Sequence, residues 1–308
     1  MSAKQKNVEK MSTWARQEQK AAYIYLLPAF IGLVFLTYLP LVAVFILSLF
    51  KWQGNSIAPP EFIGFENYTY LFTSDPYFWD SIRVTAVFAL MAVAGSMVYS
   101  LVIAMLLNRK IPARGFFRAL FYLPYILPAA AVYLGWSWLY ETNFGLFNYL
   151  LKSIGINNVQ FLASSKYALP SLVVIAVWLS GNLIVIFLAG LQNVPRIYYE
   201  AAEIDGANAW QRFWNVTLPS MTPIVFYNML MSLITNLQVV TPALALTGGG
   251  PENSTRFITY LMYFYGFTKG NIGRASAVSF VSFVIIGVFT AILFGTSGTW
   301  VFYQGGED

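Results

Sequence analysis

The chain has 308 residues, 58% of them hydrophobic and 10% charged, with a mean hydropathy of +0.61 and a net charge of +5. A soluble domain carries roughly a quarter of its residues as Asp, Glu, Lys and Arg, so this composition excludes an ordinary soluble globule and points to the membrane. The absence of cysteine and histidine excludes a disulfide framework, thiolate or imidazole metal ligands, a cysteine nucleophile and a histidine proton shuttle.

In chain order, a polar N-terminal segment, 1–20, precedes six apolar stretches nearly free of charge, and these predict transmembrane helices at about 21–50, 84–108, 119–140, 167–190, 218–246 and 275–297. Each meets the roughly 20 residues needed to cross about 30 Å of hydrocarbon. The first has no small-residue cleavage site and is expected to remain as an anchor, bent at Pro28 and Pro40. The fifth apolar run is cut after Thr247 by GGGPENST, whose glycines and proline end a helix. A short tail, 299–308, follows the sixth. Trp52, Tyr68, Tyr70, Tyr77, Phe78, Trp79, Trp136, Trp138 and Tyr140 fall near the ends of these spans, as an interfacial belt does, with sugar stacking as the alternative use for one or two of them.

Six crossings put both termini on one side. That side collects eleven Lys and Arg (Lys4, Lys6, Lys10, Arg16, Lys20, Arg109, Lys110, Arg114, Arg118, Arg196, Arg212) against seven on the other (Lys51, Arg83, Lys152, Lys166, Arg256, Lys269, Arg274). The positive-inside rule therefore predicts cytoplasmic termini, and the basic residues form no stripe suited to nucleic acid.

Between the fourth and fifth spans lies a polar island, 195–219, with Glu200, Glu203, Asp205 and Arg212. Pro195 suits a helix start, Ile197, Ala201 and Ile204 recur at spacings of four and three, and Gly206 suits a C-terminal stop. Asn208 then caps a second short helix bearing Trp210, Phe213 and Trp214, and Pro219 opens the next span. The prediction is a cytoplasmic helix-turn-helix. A loop lying on lipid headgroups is the alternative, but such helices favour Lys and Arg, and an acidic ledge matches a basic protein partner better.

The segment EAAEIDGANAWQRFWNVTLP resembles the EAA motif of ABC importer permeases, with Glu200, Ala201, Ala202, Asp205, Gly206, Ala207, Phe213, Leu218 and Pro219 at the expected positions. FIGFENYTYLF, RGFFRALFYLPYILP and LTGGGPENSTRFITYLMYFYGF are similar to the carbohydrate branch, which includes maltose-type and glycerol-phosphate-type importers, and the resemblance covers about residues 23–294. It implies an all-α integral membrane protein of the type I importer permease class, working as half of a two-permease channel. It also implies a second permease chain, two cytoplasmic ATPases, an extracytoplasmic solute-binding protein, a sugar substrate and a bacterial-type inner membrane. On this resemblance, Glu200, Ala201, Ala202, Glu203, Asp205, Gly206 and Ala207 dock into an ATPase groove, and the two short helices form a rigid lever continuous with Pro219 and the span beyond.

No GxxxxGK[ST] phosphate loop occurs, and no span has a charged residue at its middle, so neither ATP hydrolysis by this chain nor an intramembrane proton relay has its usual parts. The expectation is a chain with no catalytic residue, no metal and no cofactor of its own, ATP and Mg being bound by the partner ATPase. A secondary transporter, a membrane enzyme built on the island carboxylates and a non-transport scaffold are the rival classes; no internal repeat supports the first.

The fifth span carries Asn228, Ser232, Thr235, Asn236 and Gln238, of which the first, second and fourth repeat at spacings of four. Two uses stay open for them: lining a path for a neutral hydroxyl-rich solute, or hydrogen-bonding between helices. In the maltose-type resemblance Ser232 and Asn236 match sugar-contact positions, and Ser180 gains a path-lining place through the match at Trp178. Ala176, Leu183 and Val239 depart from that pattern, which weakens the sugar site expected on this chain.

Overall fold

The computed structural model describes residues 13–54 and 59–302; Lys4, Lys6, Lys10 and the tail beyond 302 lie outside the described residues. Helix α1 (Thr13–Leu33) runs through a wide turn at Val34–Tyr38 into α2 (Leu39–Ser48). Pro28 sits within α1 and Pro40 in the first turn of α2, yet 20–48 remains one helix. Between the two prolines the ladder widens at Val34–Tyr38, where Leu39 N–H donates to Val34 O just ahead of Pro40, which has no N–H to donate. A two-residue hairpin, β1 (Phe50–Lys51) with β2 (Glu61–Phe62), leads to α3 (Glu66–Thr73).

The 31-residue α4 (Phe78–Asn108) is the central post. It packs on α8 (Ser165–Trp178), α9 (Gly181–Asn193) and α13 (Thr222–Leu237). Its buried Ser96, Ser100 and Ala104, one turn apart, allow neighbouring helices to approach closely. Between these posts come α5 (Arg114–Ile126), α6 (Ala129–Leu139), α7 (Leu146–Ser153), α10 (Arg196–Ile204), α11 (Ala209–Arg212) and α12 (Leu218–Ser220). After α13 the chain turns through α14 (Ile258–Tyr263) into α15 (Ile272–Ser297), which packs on α2 and α14.

Among the described residues three helices, Lys20–Ser48, Phe78–Asn108 and Ile272–Ser297, are long and apolar enough to cross a membrane unaided. The other three expected spans are broken. Between α5 and α6 the axis turns by 97°, because Leu127 and Pro128 are extended and proline cannot continue the ladder. Between α8 and α9 it turns by 46° at Leu179 and Ser180. The fifth enters through a 68° elbow at Met221 and ends at Leu237, nine residues short of expectation, where Gln238 leaves the helix and Pro242 follows. Counting each bent pair as one crossing allows up to six.

Phe78, Trp136 and Tyr140 belong to the core, against the expectation of a belt. Trp136 lies between Tyr140, Phe147 and Trp178, at centroid distances of 5.2, 5.8 and 5.5 Å. By contrast, the apolar side chains of α1 from Tyr23 to Phe30 are largely uncovered within the chain, as suits a surface facing lipid or another subunit. At the opposite end of the chain, Phe302 N–H donates to Thr222 Oγ1 at 2.9 Å and Trp300 packs edge-on against Phe226, so residues 300–302 lie against the start of α13.

Candidate functional site: an exposed coupling elbow and a cavity among the helices

The island folds by local rules. Pro195 caps α10 from an extended conformation, and Gly206 follows its end with φ +74°. There Ala207 N–H reaches Ala202 O at 2.8 Å and Gly206 N–H reaches Glu203 O at 3.1 Å, the paired bonds of a left-handed helix stop. No atom lies within 4 Å of a Cβ added to Gly206, so its requirement for glycine comes from the backbone angle alone. Asn208 then accepts from Gln211 N–H at 2.9 Å while Gln211 Oε1 accepts from Asn208 N–H at 2.8 Å, a reciprocal cap for α11. Two contacts clip the arms together: Glu203 pairs with Arg212, and Tyr199 and Thr217 share a hydroxyl hydrogen bond of 3.0 Å.

Between the arms opens a cleft of about 610 Å³, lined in part by Ala201, Ala202, Asp205, Gly206, Ala207 and Gln211. Of the seven expected coupling residues, five therefore line it. Glu203 is instead engaged with Arg212, and Glu200 stands exposed outside it. Ile204 is 87% exposed and Trp210 69% exposed, so the apolar side chains of the arms are largely uncovered within this chain. The second arm continues from α11 through a wide turn at Phe213–Thr217 to α12, and the 68° elbow at the buried Met221 separates it from α13. The lever and the span are thus joined at an angle, which corrects the expectation of one continuous rod. The cause is local: Pro219 and Pro223 flank the elbow and each lacks an N–H for the helical ladder.

Further along α13 a half-open cavity of about 400 Å³ is lined by α4, α5, α6, α8, α9 and α13. It brings together Ser180, Ser232, Thr235 and Asn236, predicted from sequence, with Asn182, Ser96, Tyr125 and Tyr133, which sequence reasoning missed. The only hint of these was a polar or phenolic group within an apolar run, a weak signal. Asn236 Nδ2 donates to Ser232 O at 2.8 Å and lies 3.2 Å from Ser232 Oγ, while Thr235 Oγ1 donates to Met231 O at 2.8 Å. Ser180 Oγ donates to Val177 O at 2.7 Å and lies 2.9 Å from Ser100 Oγ, so this hydroxyl also fastens the α8–α9 break to α4. Gly181 permits that break: a Cβ there would stand 2.7 Å from Phe121 O. Among the described residues no Asp, Glu, Lys or Arg lines the cavity, and Ala176, Leu183 and Val239 contribute apolar wall.

Two predicted path residues fall elsewhere. Asn228 is fully buried between α13 and α9, its Nδ2 3.4 Å from Leu183 O and its Oδ1 without a partner. Gln238 is an exposed residue just past the end of α13 and does not line the cavity.

The family model for the binding-protein-dependent transport system inner membrane component matches residues 96–303. The chain is 36% identical to a probable ABC transporter permease protein, YesP of Bacillus subtilis, over 97% of both chains. It is 32% identical to the trehalose/maltose transport system permease protein MalF of Thermococcus litoralis, over 90% of this chain and 93% of that one. Its fold matches a crystal structure of a bacterial alginate ABC transporter in complex with a pentasaccharide-bound periplasmic protein, with a TM-score of 0.79 over 92% of this chain and 96% of the other at 21% identity. The chain belongs to the family of inner membrane components of binding-protein-dependent transport systems.

Proposed function

We propose that this chain is the permease subunit of an ATP-driven sugar or oligosaccharide importer, forming half of a path completed by a second permease. Two cytoplasmic ATPases bind and hydrolyse ATP with Mg, and their closure moves the arms at 195–219. An extracytoplasmic binding protein delivers the sugar. Both termini and the island face the cytoplasm, and the six crossings comprise the three continuous helices and the three bent pairs.

The observation that carries this reading is the continuity of one segment. The arms with their exposed cleft lead through the Met221 elbow into α13, which carries Ser232, Thr235 and Asn236 on the cavity wall. A force applied to the arms therefore reaches the cavity by a rigid-body route rather than through a slack loop. An uncharged cavity with hydroxyl and amide groups suits a neutral polyol, which needs hydrogen bonds without a charge that would hold it too tightly. The same absence of charged wall residues disfavours an ion-coupled secondary transporter. The sugar-transport names of the relatives, trehalose/maltose and multiple sugar-binding among them, support the same substrate class.

The test is reconstitution with the ATPases, the second permease and the binding protein in proteoliposomes. Sugar uptake should require ATP, and Glu200→Lys should leave the chain inserted while abolishing its coupling to hydrolysis. Uptake driven by an ion gradient without ATP, or unimpaired uptake in the variant, contradicts the assignment.

A further inference from the structure

At the end of the bundle opposite the island, where α4 and α15 begin, lies a second cleft of about 370 Å³ whose wall includes Gln53, Tyr70, Tyr77, Lys269, Asn271 and Arg274. Sequence-distant pieces build it: a bridge from Gln53 to Asn271 joins the hairpin after α2 to the start of α15, and Gly54 N–H donates to Gly270 O at 2.7 Å. Its cations rest on ring faces. The Arg274 guanidinium lies 3.6 Å from the Tyr70 ring centre, and Lys269 Nζ lies 5.3 Å from that of Phe264. Arg256, beside the cleft, lies 4.1 Å from the Tyr77 ring centre.

A ring face orients a cation and offsets part of its lost hydration, but it leaves the N–H groups in the guanidinium plane free for an acceptor. Among the described residues no carboxylate supplies one. Among the described residues the ion pairs are Lys51–Glu61 and Glu203–Arg212, so Arg256, Lys269 and Arg274 have no carboxylate oxygen within 4.0 Å. Asp75, buried beside Tyr265 of the cleft wall, has both oxygens engaged within the chain, Oδ1 by Tyr77 N–H at 2.7 Å and Phe78 N–H at 2.9 Å, and Oδ2 by the Tyr265 hydroxyl. Burial and this carboxylate push the Tyr265 pKa well up, so the phenol keeps its proton and adds no anion. Arg256 Nη1 is moreover buried without any hydrogen-bond partner. The cleft is an aromatic-walled recess with a cationic rim.

We infer that this cleft receives an acidic loop of the extracytoplasmic binding protein, with Lys269 and Arg274 taking its carboxylates against the Tyr70 and Tyr77 rings; the assignment rests on the importer function proposed above. Charge complementarity of this kind steers encounter and sets the docking register. A protein loop is favoured over a lipid phosphate because the recess is assembled from loops at the tip of the bundle, not from its apolar flank.

The experiment uses the complete assembly in nanodiscs of phosphatidylcholine, with and without added phosphatidylglycerol, and the sugar-binding protein that stimulates its ATP hydrolysis. Lys269→Glu with Arg274→Glu should raise the concentration of binding protein giving half-maximal stimulation about tenfold at low salt, and the shift should shrink at about 0.5 M salt. Lys269→Gln with Arg274→Gln should raise it about threefold, and this neutral pair decides the matter if the charge reversal fails to assemble. The control is Lys152→Glu with Lys166→Glu, two cations assigned to the same side but outside the cleft, which should shift nothing. An unchanged half-maximal concentration, an equal shift in the control, or a shift that appears only when anionic lipid is present overturns the assignment, the last pointing to a lipid headgroup. If the wild-type assembly is stimulated by no binding protein, the importer reading itself falls and this one with it.

Discussion

The island and the cavity answer opposite structural questions with the same few residue types. In the island the fixing contacts stay inside the segment 195–219: Gly206 to Glu203, Asn208 to Gln211, Glu203 to Arg212 and, farthest apart, Tyr199 to Thr217. Its surface is open, and its shape follows from backbone rules that a sequence carries explicitly. In the cavity Ser180 meets Ser100 across eighty residues, and the walls come from six helices. An exposed docking element keeps its form without a partner only if its geometry is local, whereas a solute-sized space requires that distant helices fail to close completely. The first is a property of a segment and the second a property of a packing arrangement.

Substitutions separate these two kinds of order. The largest effect is expected for Gly206→Pro, which replaces φ +74° by about −65° and removes the N–H donated to Glu203 O, at a local cost of about 3 kcal/mol. ATP-driven uptake should fall more than about tenfold while the far-ultraviolet dichroism of the purified subunit stays constant. Retained uptake would detach the lever from transport. Next is Gly181→Val, whose Cβ meets the Phe121 carbonyl and should cost about 1–3 kcal/mol, read as a lower unfolding midpoint in detergent. An unchanged midpoint would mean that the α8–α9 break does not depend on this close approach.

A pair on α13 sharpens the contrast. Asn236→Leu removes an amide from the cavity wall and should lower uptake about tenfold with normal ATPase association, a change of about 1.4 kcal/mol in the barrier. Asn228→Leu exchanges a buried amide with one unpartnered oxygen for an apolar group of similar size, and should leave uptake near wild type with stability altered by less than about 1.5 kcal/mol. Equal losses in the two would mean that both side chains serve packing. The smallest effect belongs to Glu203→Gln, which breaks a half-exposed pair worth about 0.2–1 kcal/mol and should change the unfolding midpoint only slightly.

How far each region could be read from sequence follows the same division. The stop at Gly206 and the cap at Asn208 were legible because a positive φ and an orphan N–H select few residue types. Ser232, Thr235 and Asn236 were legible as polar points in an apolar run, but their repeat also included Asn228, which the structure buries against Leu183 O. Periodicity identified a face of α13 without saying which neighbour that face meets. Ser96, Tyr125, Tyr133 and Asn182 gave no usable signal, because a single hydroxyl or amide in an apolar helix is as common in helix contacts as in a path wall. The breaks at Ser180 and Met221 were missed for a related reason: hydropathy measures how much apolar chain is present and is blind to its direction.

The sequence by itself determined the membrane class, the family and the conformation of the arms, since composition, run length, capping residues and a positive φ act within a few residues of one another. Tertiary structure alone decided where three of the apolar runs bend, which polar side chains reach the cavity and which become packing, and how the rings of Tyr70 and Tyr77 meet the cations of a distant segment, Lys269 and Arg274, at one cleft. Those outcomes depend on where segments as distant as Phe45 and Phe280 come into contact, and contact between distant segments is settled only when the whole bundle packs.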